Sequence, residues 1–121
     1  MALQVGQTAE TSRAFTATDI ADYVALGGQM TLDGEVPEPL IGAMFSYLLG
    51  VKLPGMGTNY LKQESEFKSP AHIDQTLIAR VEITRLRPEK HLVDLRTTCH
   101  NDKGLQIFDG RALVYVEDVR Q

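Results

Sequence analysis

His72 and Asp74 are the side-chain types that form a general base and the carboxylate that orients it. They stand two residues apart in Ser69-Pro70-Ala71-His72-Ile73-Asp74, a stretch with turn composition between two strand-like segments. A solvated surface turn is therefore the expected reading of the pair. His91 follows Lys90 in a turn, and His100 begins the turn-forming run Asn101-Asp102-Lys103-Gly104. The three histidines do not fall at metal-ligand spacings, and no metal is expected. Cys99 needs an activating base before its thiol attacks anything, and His100 is the nearest. Late in a strand, it reads instead as a small buried apolar residue. Glu38, just before a helix, suits the positive end of the helix dipole.

The elements that must carry these residues follow from periodicity. Residues 3–15 alternate weakly and read as a frayed strand or arm. Thr16 or Thr18 is placed to cap a short helix with Asp19 in its first turn, ended by Gly27-Gly28. Residues 28–39 are rich in turn formers and read as a loop whose Pro39 fits a helix start. Leu40 to Leu49 is apolar almost all round, which predicts a helix wrapped by the rest of the chain and ended by Gly50. After Leu53-Pro54-Gly55-Met56-Gly57 come four strands, at 60–68, 77–84, 92–99 and 105–116. Asn101–Gly104 makes the third hairpin connection, and Gly110 is a candidate bulge. Consecutive antiparallel strands beside one buried helix define an α+β layer fold.

With 121 residues, 43% of them hydrophobic and 23% charged, the chain is expected to form a single domain over 1–121 with its own core. A single cysteine excludes a disulfide framework within the chain. The net charge of −4 and the lack of a basic patch make nucleic acid an unexpected partner. No apolar run approaches the ~20 residues of a membrane span, so no membrane partner is expected. The opening MALQVGQTAE lacks the basic start and apolar block of a signal peptide. The expected location is the cytoplasm.

Several segments carry a resemblance to a known family. They are Val5-Gly6-Gln7, Asp22-Tyr23-Val24-Ala25-Leu26, Leu48-Leu49-Gly50 and the run Leu53-Pro54-Gly55…Gly57…Tyr60-Leu61-Lys62-Gln63, followed by Phe67-Lys68-Ser69-Pro70. Cys99–Gly104 and Gly110-Arg111-Ala112 also fit. From Val5 to Val116 the chain resembles the MaoC-like group of (R)-specific enoyl-CoA hydratases. The resemblance implies a hot-dog fold, an antiparallel sheet curled around one buried helix. It implies acyl-CoA or acyl carrier protein thioesters as ligands, with no cofactor. In that group an aspartate and a histidine activate water, and a glycine amide at the start of the helix binds the thioester oxygen.

At those places this sequence departs from the family. Gly28 matches the glycine of the family's G-D-x-N-P-x-H motif, but Gln29 stands for the aspartate and Gly34 falls at the histidine. Pro37-Glu38-Pro39 replaces the H-G-M at the helix start. Pro39 has no N–H to offer, and Gln29 can hydrogen-bond a water but not take its proton. The scaffold is kept and the dyad is absent. Three readings follow. One is a hydratase or dehydratase relative with altered chemistry on acyl thioesters. Another is a non-catalytic subunit or acyl-binding partner of an active dehydratase. The third is a thioesterase that uses a carboxylate near the central helix, Glu38 or Asp33. The catalytic candidates are therefore Glu38, Asp33 and Gln29. The resemblance implies an acyl pocket of Tyr23, Met44, Phe45 and Tyr47, edged by Gly57 and Tyr60. Arg85, Arg87 and Lys90 are candidates for the carrier's phosphates. An open sheet edge predicts a homodimer, or a heterodimer with an intact hot-dog subunit.

Overall fold

In a computed structural model of the chain, residues 2–117 are described. Five strands and two α-helices appear in the order β1 (Thr8–Ala14), α1 (Ala17–Ala25), α2 (Glu38–Tyr47), β2 (Thr58–Phe67), β3 (Thr76–Arg87), β4 (Leu92–Asn101) and β5 (Gln106–Val116). The strands form one antiparallel sheet in the order β1-β3-β4-β5-β2. The strict alternation along β3 and β4 places Leu77, Ala79, Val81 and Ile83, and Val93, Leu95, Thr97 and Cys99, on the buried face. α2 lies on that face. Phe45 stacks on Phe108 of β5 at 4.7 Å, and Phe67 of β2 meets the same ring edge-on at 5.0 Å.

α1 starts as its sequence dictates. The Asp19 N–H donates to Thr16 Oγ1 at 3.2 Å, and the Thr16 N–H donates to Asp19 Oδ2 at 2.8 Å, a closed capping box. The turn after β4 is also legible. Asn101 Oδ1 accepts from the N–H groups of Lys103 and Leu105, and Gly104 takes a positive φ.

Four local expectations are corrected. The central helix begins at Glu38, not Leu40. It does not stop at Gly50 but runs on as one wide π turn, Leu48–Lys52, closed by Leu53 N–H on Leu48 O at 2.8 Å. Gly50 lacks the left-handed φ of a glycine stop, and the break falls at Gly55, whose φ is +98°. Nor is the helix wrapped all round: Ile41, Met44 and Phe45 are buried, but Ala43, Ser46 and Tyr47 are exposed. One sheet covers one face of a helix, and the other stays open. Gly110 is no bulge either, because the register shifts fall at Leu61, Thr84 and between Cys99 and His100. Gly110 is needed for close approach: a Cβ there would sit 2.2 Å from the Glu64 carbonyl oxygen.

Candidate functional site

The open face of α2 forms one wall of a groove of 450 Å³. Leu40, Ala43, Met44 and Tyr47 line that wall. α1 supplies the second wall through Tyr23, with Leu26 at the rim. β1 closes the end with Thr11, Ser12 and Arg13 above the buried ring of Phe15. The body of the groove is apolar and aromatic, with its polar groups gathered at the β1 end, the pattern of a small-molecule site. Gly28 helps set this wall. Its N–H donates to Tyr23 O at 3.0 Å, and a Cβ there would fall 2.2 Å from the Tyr23 ring, so any other residue has to displace that ring.

The polar end is electrostatically settled. Arg13 pairs with Asp19 at 3.1 Å and its guanidinium lies 4.6 Å over the Phe15 ring. The Thr16 backbone N–H chiefly, then the Thr16 hydroxyl and Arg13, hold the Asp19 carboxyl below the usual carboxylate range against some desolvation. Asp19 is therefore a fixed anion at neutral pH, already hydrogen-bonded, and unsuited to trading protons with a substrate. Asp22 lies beside it along the groove.

The structure separates the remaining candidates. Tyr23, Met44 and Tyr47 meet in the groove. Phe45 points into the core, 1% exposed. Gly57 and Tyr60 lie at the start of β2, away from the groove lining. The Tyr60 hydroxyl hydrogen-bonds Gln63 Oε1, and Gln63 Nε2 reaches Thr97 Oγ1 at 3.1 Å. Burial raises the Tyr60 phenol above its ordinary value.

Gln29 is exposed in the connection between α1 and α2. Asp33 is exposed in a turn with φ of +55°, and Glu38 is the exposed first residue of α2. Glu38 lines a separate recess of 240 Å³ with Glu35 and Lys68, around the helix from the groove. That recess is where the connection is stitched down: Val36 N–H donates to Ala71 O at 2.7 Å and Ile73 N–H to Gly34 O at 2.9 Å. His72 takes part through its backbone, in a bridge with Glu35, and no hydrogen bond or ion pair joins it to Asp74.

The other candidates take structural places. Arg87 is held by Asp94 at 2.8 Å, and neither it, Arg85 nor Lys90 lines the groove. Burial pushes the Cys99 thiol up to about 11, which keeps it protonated and inert. Among the described residues no group of three His, Cys, Asp or Glu side chains could hold a metal ion, and no helix is long and apolar enough to cross a membrane. The groove residues on β1 were not singled out from the sequence. Only the pairing of β1 with β3, Thr11 opposite Ala79, carries them to α2.

An antiparallel sheet curled over one central helix, with a groove on the helix's outer side, makes this a hot-dog domain. No family model matches the sequence. The chain is 34% identical to the (R)-specific enoyl-CoA hydratase of Aeromonas caviae, over 93% of this chain and 94% of the relative. The solved (R)-hydratase from A. caviae superposes with a TM-score of 0.89, at 34% identity, covering 94% of this chain and 97% of that one. An R-hydratase from Pseudomonas aeruginosa superposes with a TM-score of 0.87, at 28% identity, over 98% of this chain and 84% of that one. The chain belongs to the family of (R)-specific enoyl-CoA hydratases.

Proposed function

We propose that this chain, as a single domain over 1–121, binds acyl thioesters in the groove between α1 and α2 and lacks the family's Asp/His hydration chemistry. The observation that carries this reading is the connection between the two helices. At the positions that the resemblance sets against the family's dyad stand Gln29, which is exposed, and Gly34, whose carbonyl is engaged by Ile73. Hydration needs a group that takes a proton from water near neutral pH. Gln29 cannot take that proton, and Asp19 is fixed in its capping box. The first turn of α2 is equally poor in donors. Pro37 and Pro39 have no N–H, and the Leu40 N–H is turned back to Pro37 O at 3.0 Å. Glu38 alone offers an amide there, and it lines the recess rather than the groove.

What the groove retains is the means to hold a chain. Met44, Tyr47 and Tyr23 give an apolar bed for an acyl group, and the rim at Leu26, 90% exposed, becomes covered when one is bound. The ligand is the thioester of CoA or of an acyl carrier protein, with no further cofactor. The working assembly is a dimer in the cytoplasm.

Two measurements test this. Crotonyl-CoA hydration, followed by loss of the enoyl absorbance, is expected to run about 10⁴-fold or more below an intact relative, since the proton-transfer groups and the oxyanion donors are both missing. Turnover within tenfold of the relative refutes the loss of chemistry. If such turnover vanished in Glu38→Gln and not in Asp33→Asn, Glu38 would be the replacement base. Acyl-CoAs of increasing length are expected to raise the melting temperature, and less so in Met44→Ala. No shift with any of them refutes binding.

A further inference from the structure

On the face of the sheet turned away from α2, Arg85 of β3, Arg96 of β4 and Arg111 of β5 line an open recess of 610 Å³. Every carboxylate of that recess is already engaged. Asp94 is held by Arg87 at 2.8 Å, Asp109 by Arg96 at 3.2 Å, Glu64 by Lys62 at 3.3 Å and Glu66 by Lys68 at 3.0 Å. Arg87, Lys62 and Lys68 reach in from outside the lining. Arg85 and Arg111 are left over. Among the described residues neither has a carboxylate within bridging distance, and neither guanidinium donates a hydrogen bond. The recess with its bridging partners thus holds six cations against four carboxylates, in a chain whose net charge is −4. Glu82, opposite Arg96, belongs with Glu10 and Arg80 to the neighbouring recess. The register makes the surplus costly. Arg96 and Arg111 are direct cross-strand partners, and like charges so placed destabilise a sheet.

We propose that this recess binds a diphosphate group, gripped by Arg85 and Arg111 with Arg96 between them. Arg85 stands opposite Asp94, which stands opposite Leu113, two residues from Arg111. The two free arginines are therefore separated by two strand intervals across the sheet and two residues along it, about 10 Å by about 7 Å. Two long side chains close that span on a group with oxygens at both ends, which a diphosphate has and a single carboxylate lacks. The guanidinium fork also matches phosphoryl oxygens two at a time. Arg96 commits Nε and Nη2 to Asp109, which leaves Nη1 to donate to the same anion. No ion pair has to break for the anion to enter, and its charge relieves Arg96 against Arg111. The recess and the groove between α1 and α2 lie on opposite faces of the sheet, so the proposal does not depend on what the groove holds. Two sources carry the required chemistry, a free nucleoside diphosphate and the CoA portion of a thioester.

Titration calorimetry at low salt, with inorganic diphosphate, ADP and CoA as probes, tests the site in the full chain and in Arg85→Gln, Arg111→Gln and Arg80→Gln. Arg80 is the control, an exposed arginine of the same face that shares its own recess with Glu10 and Glu82. The parent is expected to bind inorganic diphosphate with a Kd below about 1 mM. Arg85→Gln and Arg111→Gln should each weaken it about tenfold or more, and Arg80→Gln should leave it within about twofold. No binding at about 5 mM diphosphate overturns the proposal, and so does equal weakening in Arg80→Gln, which would mark general attraction to charge. Without ligand, Arg111→Gln should melt at or above the parent, because it removes a like-charge pair. A lower melting temperature makes Arg111 a structural residue and overturns the proposal. The probes also separate the two sources. Loss of ADP binding in Arg111→Gln with CoA binding unchanged supports a separate nucleotide as the ligand, and a matching loss for CoA supports the carrier.

Discussion

Replacing Gly110 by alanine tests the packing that holds β2 in place. Gly110 sits on the inward face of β5, opposite Ser65 of β2 and Thr97 of β4. A Cβ there would meet the Glu64 carbonyl oxygen at 2.2 Å, Gln63 Nε2 at 2.8 Å and the Phe108 ring at 3.1 Å. The nearest atom is backbone, so no rotamer relieves the clash and β2 must move by about an ångström. Overpacking of this kind costs about 1–3 kcal/mol. The same movement pulls Gln63 from Thr97, which is fully buried and has no other side-chain partner. An orphaned buried hydroxyl adds about 1–3 kcal/mol. The expected loss is therefore about 2–6 kcal/mol, or roughly 10 °C or more in Tm for a domain of this size. Gly42→Ala is the internal control. Gly42 lies within α2 and its Cβ would meet nothing within 4 Å, so alanine there should stabilise by about 0.5–1 kcal/mol. Urea unfolding of the three proteins side by side decides the matter. A Gly110→Ala midpoint within about 0.5 kcal/mol of the parent, or a Gly42→Ala loss as large as that of Gly110→Ala, would refute the reasoning.

Thr16→Ala removes the capping box of α1 and should cost about 1 kcal/mol by urea midpoint, with α1 fraying first in hydrogen exchange. Because the Asp19 carboxyl titrates lower folded than unfolded, its contribution is present above about pH 4 and fades as pH falls through the folded value. Thr16→Ala should flatten that acid limb, and an unchanged limb counts against the capping account. Cys99 titrates near 11, so about 10⁻³ of it is thiolate at pH 8. A thiol reagent should label it only on unfolding, and rapid stoichiometric labelling of the native chain would contradict its burial. The raised value also makes stability fall as pH rises from about 8.5 toward 11, a slope that Cys99→Ala should remove.

What was legible in the sequence was whatever local chemistry decides. Thr16 and Asp19 announce the start of α1, Asn101 to Gly104 announce a hairpin, and the alternation of β3 and β4 fixes their inner faces. The family motifs added the architecture and pointed to Tyr23, Met44 and Tyr47. Positions set by tertiary approach were not legible. Gly110 reads like a bulge because a glycine in a strand signals either a bulge or a close neighbour, and only the Glu64 carbonyl tells which. Gly50 reads like a helix stop, yet the chain turns through it because the stop lies five residues on. Arg13 and Thr11 carry no site signal of their own. They join the groove because β1, at one end of the chain's path, is laid beside β3. Glu38 and the groove look adjacent on a linear map, and the helix turns them to different sides.

The strand order also sets which parts of the molecule open first. β3, β4 and β5 follow one another in sequence and lie side by side, so their contacts close over short loops. β1 must wait for residue 76 and beyond to find its partner, and β2 pairs with a strand that ends at Val116. The central meander is thus the durable unit, and the margins are the cooperative segments that detach at lower free energy. Amide exchange should rank the strands accordingly, slowest in β4 and fastest in β1 and β2. The groove leans on one of those margins, β1, and the other, β2, ends the sheet on its far side. A ligand in the groove would therefore clamp a region that the fold itself holds loosely. Such a ligand should slow exchange along β1 while leaving the meander untouched.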